Sequence, residues 1–288
     1  MKIAQYYENN TIRLGLVQSK NIAPIIFDGD MIDFINSGQP PEIGDSVIPL
    51  SEIRLASPVT RPSKIIAIGL NYKDHADESK EELPDLPEAP LIFAKFPNSV
   101  TGHNHEIRWD MHVTQKVDFE AELAVVIKKE VYNCTANEAE DAVFGYTCGN
   151  DVSARDLQFG DGQWVRGKSL DTFCPLGPWI VTPEDLPDPN SLKIKCWLNG
   201  HLMQDSNTGL TVFKVPTLIS FFSKHFTLMP GDIIMTGTPN GVGAFRDPPI
   251  YMKDADEVIV EIEGIGQLIN RCRTTEDKII LTPTPTGR

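Results

Sequence analysis

Val117-Asp118-Phe119-Glu120-Ala121-Glu122-Leu123 alternates acidic and apolar residues with period two. Successive side chains of a strand point to opposite faces, so the pattern sets Asp118, Glu120 and Glu122 on one face and Phe119, Ala121 and Leu123 on the other. The apolar face calls for a core. The acidic face is a harder problem, because crowded carboxylates repel one another and, when buried, either take up protons or gather around a cation. Carboxylate oxygens are hard donors, which points to Mg²⁺, Mn²⁺ or Ca²⁺ rather than zinc. An isolated E-x-E is more often a solvated strand face, so the surrounding segments decide between the two readings.

Upstream, residues 64–69 (KIIAIG) form the continuous apolar run of a buried strand. Residues 2–6 and 11–17 are β-like and a short helix is expected at 30–35. Residues 56–63 have linker composition. This divides the chain into a small β-rich N-terminal domain, 1–62, and a larger domain, 63–288. Downstream, Thr135-x-x-Glu138 has the form of a capping box and starts a short helix. Strands are expected at 145–148, 178–181, 192–198 and 233–236, and a helix at 216–225. Asn199-Gly200 predicts a two-residue hairpin turn, and 257–263 with 267–271 a second hairpin around Gly264. Strands outnumber helices and do not alternate with them, which gives a mostly β fold with flanking helices (α+β) rather than a doubly wound sheet.

The chain has 288 residues, 41% of them hydrophobic, and a formal net charge of −14. That charge disfavours nucleic acid and anionic membranes as partners and leaves small molecules. It also argues against a metal-dependent nuclease, which would need a basic stripe. Five dispersed cysteines without a C-x-x-C pair fit a reducing compartment. With no apolar N-terminal signal and no apolar run of 18 residues, the expected location is the cytoplasm.

Four further segments gather chemistry-bearing residues. In residues 69–78 (GLNYKDHADE), His75 and Glu78 share a face if the segment is helical, a pairing that suits a general base. The acidic stretch 74–88 around them is expected to act as a lid. In 149–158 (GNDVSARDLQ), Asp151 is placed to complete a three-carboxylate metal site or to cap a helix. Arg155 and Gln158, three apart, could grip an anionic substrate. In 166–178 (RGKSLDTFCPLGP), Lys168 is a candidate oxyanion stabiliser, against the alternative of an exposed loop lysine. Residues 236–243 (TGTPNGVG) lack the Gly-Lys-Ser/Thr of a P-loop. Lys95 and His103 carry no role legible in the sequence. Glu261 and Glu263, a second E-x-E beside Gly264, are expected to face solvent.

The ordered set D-x-E-x-E-L, N-D-x-S-x-R-D-x-Q, G-K-x-x-D-x-x-C-P-x-G-P and T-G-T-P-x-G-V-G resembles the fumarylacetoacetate hydrolase family over residues 64–275. The resemblance implies a distorted β catalytic core behind a small N-terminal domain, usually as a homodimer. It implies Glu120, Glu122 and Asp151 as ligands of Mg²⁺ or Mn²⁺, with Ca²⁺ as a structural substitute, and Asp118 outside the ligand set. It implies His75 and Glu78 as a water-activating dyad, Lys168 as the oxyanion-stabilising lysine, and Arg155, Gln158 and Thr238 as substrate contacts. The activity implied is metal-dependent hydrolysis of a C–C bond in a 1,3-diketo acid, acylpyruvate or fumarylpyruvate-like, through a metal-bound enolate. The alternatives are a decarboxylase or isomerase of oxaloacetate or of hydroxymuconate-type acids from aromatic compound catabolism and, from another class, a non-catalytic binding module.

Overall fold

The computed structural model describes residues 1–73, 88–186 and 188–276. His75 and Glu78, and almost all of the expected lid, lie outside the described residues. The fold is mostly β, as the strand-rich pattern predicted. A large sheet runs, neighbour by neighbour, through Ile48–Pro49, Asn21–Pro24, Thr11–Gln18, Lys2–Glu8, Cys174–Val181, Val143–Asn150, Ala121–Ile127, Ile233–Met235, Ile65–Gly69 and Leu91–Lys95. A second sheet runs through His201–Asn207, Lys193–Leu198, Glu257–Ile262, Gly266–Thr275 and Glu106–Asp110.

The two sheets bury one core between them. Ile66, Ile68, Leu123, Val125 and Cys148 from the first meet Ile194, Cys196, Val258, Val260 and Ile262 from the second. The outer face of the large sheet is also covered: Ala67, Ala124, Val126 and Met235 pack against Ile3, Leu14, Met31 and Phe34 from the N-terminal segment. A strand buried on both faces reads as a continuous apolar run, which explains the sequence of Ile65–Gly69. The half-buried strands of the second sheet alternate instead, as in Glu257–Ile262.

Segment 1–62 extends the same sheet, through Lys2 opposite Val181 and Ile3 opposite Ile180. Its helix Met31–Ser37 starts on a capping box made by Asp30 and Asp33. The Thr135 capping box likewise starts Ala136–Ala139. At the Asn199-Gly200 turn both residues have positive φ, 51° and 78°, as a type I′ hairpin requires.

The acidic strand departs from the expected single run. Val117–Asp118 pairs with Ser153–Ala154, and the long strand begins only at Ala121. The carboxylate of Asp118 accepts from the backbone N–H groups of Phe119, Gly243 and Ala244, which fixes the chain in a bend between the two strands. Leu91–Lys95 and Glu106–Asp110 were not anticipated. The second pairs in parallel with Gly266–Thr275, a contact too distant to leave a turn signal.

Candidate active site and metal centre

An antiparallel ladder builds the acidic cluster. Ala121 lies opposite Asn150 and Glu122 opposite Gly149, so Asp151 continues its strand alongside Glu120. The Asp151 N–H donates to the Glu120 carbonyl at 2.9 Å, and the Glu120 N–H donates to Asn150 Oδ1 at 3.0 Å. The carboxylates of Glu120, Glu122 and Asp151 are buried and bring one oxygen each within 4.8 Å of the others. Asp151 is no helix cap: the helix Arg155–Gly160 starts after Ala154 without a side-chain cap.

Three cations compensate these acids. Lys168, at the end of the short helix Val165–Lys168, is buried rather than a loop lysine, and its Nζ donates to Glu120 Oε2 and Asp151 Oδ2, both at 2.8 Å. Lys95 Nζ donates to Asp151 Oδ1 at 2.6 Å. The Arg155 guanidinium contacts Glu120 Oε1 at 2.7 Å, Asp118 Oδ2 at 2.9 Å through Nε, and Gln158 Oε1 at 2.9 Å. Arg155 therefore holds the acids Asp118 and Glu120, and Gln158 in turn accepts from Arg155. Burial opposes the charge of Lys168, but Asp151 and Glu120 outweigh it and raise its pKa. Burial pushes Glu122 well above the usual carboxylate range, and the charges of Asp151 and Glu120 push it further, against the Gly237 N–H and Lys168.

The loop 236–243 closes one side. The Gly237 N–H donates to Glu122 Oε2 at 2.8 Å, from a backbone with φ +96° that favours glycine. Thr238 is buried, and its hydroxyl accepts from Gln204 Nε2 at 2.8 Å. Gln204 also accepts from the Ala121 N–H at 2.9 Å and donates to the Pro239 carbonyl, tying loop to strand. Neither Gln204 nor Lys95 was singled out with a role in the sequence. A lysine closing an apolar strand was the available signal, since lysine is almost never fully buried unless paired. Glu263 is exposed and Glu261 partly so, outside the site.

Three buried oxyacids with matched hard donors fit a divalent cation. All five cysteines are free and buried, and burial pushes the Cys174 thiol up to about 12, so it is no reactive thiolate. Because the folded Glu122 pKa lies above its unfolded value, the carboxyl form adds stability at low pH. That stability is lost as pH rises through the folded pKa. A cation needs the carboxylate, so the melting-temperature gain from Mn²⁺ should grow with pH over the same window, read by fluorimetry. A gain independent of pH would contradict the upward shift that burial, Asp151 and Glu120 impose on Glu122.

Gly167 explains how Lys168 gets in. A Cβ there would lie 2.6 Å from Gln158 N and 2.8 Å from Ala154 O, both rigid backbone atoms. Gly167→Ala should cost about 1–3 kcal/mol by overpacking and lower turnover by displacing Lys168. Denaturant unfolding and steady-state kinetics check both effects.

The chain that carries this buried acid–lysine centre is similar to proteins already known. The fumarylacetoacetate (FAA) hydrolase C-terminal family matches residues 64–273, and the chain belongs to the fumarylacetoacetate hydrolase family. Among curated relatives, oxaloacetate tautomerase FAHD2B, mitochondrial, of Bos taurus is 48% identical over 227 residues, covering 78% of this chain and 71% of the relative. Among solved structures, the fumarylacetoacetate hydrolase of Exiguobacterium antarcticum superposes with a TM-score of 0.87 at 34% identity, over 96% of this chain and 100% of that one. Maleylpyruvate hydrolase from Sphingobium sp. SYK-6, in complex with manganese (II) ion and pyruvate, gives 0.78 at 31%, over 95% and 99%. No described helix is long and apolar enough to cross a membrane.

Proposed function

We propose that this chain is a divalent-metal-dependent enzyme that interconverts the keto and enol forms of oxaloacetate or a closely similar 2-keto dicarboxylic acid. The reading follows the isomerase alternative over C–C hydrolysis of a diketo acid. The observation that carries it is the buried Glu120, Glu122 and Asp151 cluster bridged by Lys168, in a chain 48% identical to an oxaloacetate tautomerase. Glu120, Glu122 and Asp151 would hold the cation, Mg²⁺ or Mn²⁺. When bound, it supplies Lewis-acid charge that favours the enolate over the ketone.

Tautomerisation removes a proton from the carbon next to the ketone and places one on the ketone oxygen. Lys168 Nζ is poised to donate to that oxygen, and its raised pKa keeps it protonated to do so. His75, oriented by Glu78, is our candidate for the carbon proton, with Arg155, Gln158 and Thr238 as substrate contacts. Arg155 acts mainly by fixing Glu120, given its present bonds. We further propose a homodimer working in a reducing compartment such as the cytoplasm, where buried free cysteines persist.

The deciding experiment follows ultraviolet decay of enol oxaloacetate, pyruvate release, and acylpyruvate loss, each with and without Mn²⁺. Metal-dependent ketonisation well above the spontaneous rate is expected. Metal-loaded protein that cleaves acylpyruvates while leaving oxaloacetate at the spontaneous rate would restore the hydrolase reading.

A further inference from the structure

We propose that Lys95 is a positioning residue of this site, holding Asp151 and the Lys168 backbone in register without touching substrate. The inference deepens the functional reading above and rests on it for the identity of the reaction. An ammonium has three donors and no acceptor. Lys95 Nζ meets three oxygens: Asp151 Oδ1 at 2.6 Å, the Val152 carbonyl at 3.2 Å, and the Lys168 carbonyl. Its side chain is 0% exposed, so nothing is left over for a ligand.

Lys168 differs. Its acceptors are the carboxylates of Glu120 and Asp151, groups that a cation would also engage. It can transfer a hydrogen bond to substrate once those oxygens turn to the ion, whereas Lys95 is tied to two backbone carbonyls that cannot turn away. The chain after Lys95 is sewn to the same segment: the Phe96 N–H donates to Ser169 Oγ at 3.0 Å, and Asn98 Nδ2 donates to the Ser169 carbonyl at 3.1 Å and to Asp171 at 2.6 Å. The edge strand Leu91–Lys95 thus carries a peg that sets the plane of one metal-ligating carboxylate and the place of the lysine facing it.

The test has an informative sign. Taking a positive charge from beside a divalent ion should tighten binding if Lys95 is only a countercharge. Positioning predicts the opposite, since losing the partner of a ligating carboxylate typically weakens metal affinity about ten- to a hundredfold. Full-length Lys95→Met and Lys95→Gln are titrated with Mn²⁺ by calorimetry, with Lys168→Met alongside. Weaker binding in the Lys95 variants and equal or tighter binding in Lys168→Met are expected. Turnover of oxaloacetate should stay low in Lys95→Gln even at saturating Mn²⁺, because Lys168 has moved.

Lys95→Gln carries a shorter, neutral amide that cannot span the three oxygens, and it stands in if the Met variant does not fold. Wild-type or tighter affinity in folded Lys95→Gln overturns the proposal. If the wild type itself binds no Mn²⁺, the metal-dependent function fails separately. Lys95 is then judged by a crystal structure of Lys95→Gln: a displaced Asp151 carboxylate and Lys168 carbonyl support the role, and unmoved ones refute it.

Discussion

Glu122→Gln should abolish high-affinity metal binding and, with it, turnover, while leaving the fold intact. The amide is isosteric and can still accept from Gly237, the bond that anchors the carboxylate now. It also removes the cost of ionising a buried carboxyl beside Glu120 and Asp151, so the metal-free variant should melt at or above the wild-type temperature. The metal-bound state loses attraction worth at least about 4 kcal/mol, the figure for two unit charges at ~4 Å and an effective dielectric of ~20, so at least roughly three decades of affinity to a divalent ion. Calorimetric titration with Mn²⁺ and a thermal melt with and without the ion read both halves. Near-normal Mn²⁺ affinity in a folded Glu122→Gln would remove Glu122 from the ligand set.

Lys168→Met should separate chemistry from metal binding. Loss of a preorganised donor aimed at developing negative charge typically lowers kcat about 10²- to 10³-fold. The same change leaves Glu120 and Asp151 facing each other without the ammonium that bridges them. Breaking a buried pair costs about 3–5 kcal/mol, so the metal-free variant should melt well below wild type, and Mn²⁺ should recover most of the loss by replacing the missing charge. The expected signature is a large kcat defect, little change in KM, and metal affinity equal to or tighter than wild type. If Lys168→Met turns over at the normal rate, the lysine is a structural countercharge and the proton is delivered from elsewhere.

Where information is local, the sequence was a good guide. The capping box at Thr135, the positive-φ pair Asn199-Gly200, and the apolar run ending at Gly69 each depend on neighbours a few residues away. The mostly β class followed from many such signals agreeing. The acidic alternation at 117–123 named three carboxylates on one face, but the bend after Asp118 was invisible, because the N–H groups of Gly243 and Ala244 that cause it lie about half the chain away.

The candidate residues Glu120, Glu122, Asp151 and Lys168, which the structure brings together, were legible because they sit in motifs that occur in the family's order. What the amino-acid order alone determined is therefore the fold class, the family and the list of candidate groups. Only the tertiary structure decided their partners: that Arg155 bonds both the acids and Gln158, that Gln204 ties the Thr238 loop to the acidic strand, and that Lys95 locks Asp151 to the Lys168 carbonyl. The reason is geometric. Hydrogen bonds and ion pairs are decided by distances of about 3 Å, and for residues many positions apart those distances are set by how whole sheets pack, which no local pattern encodes.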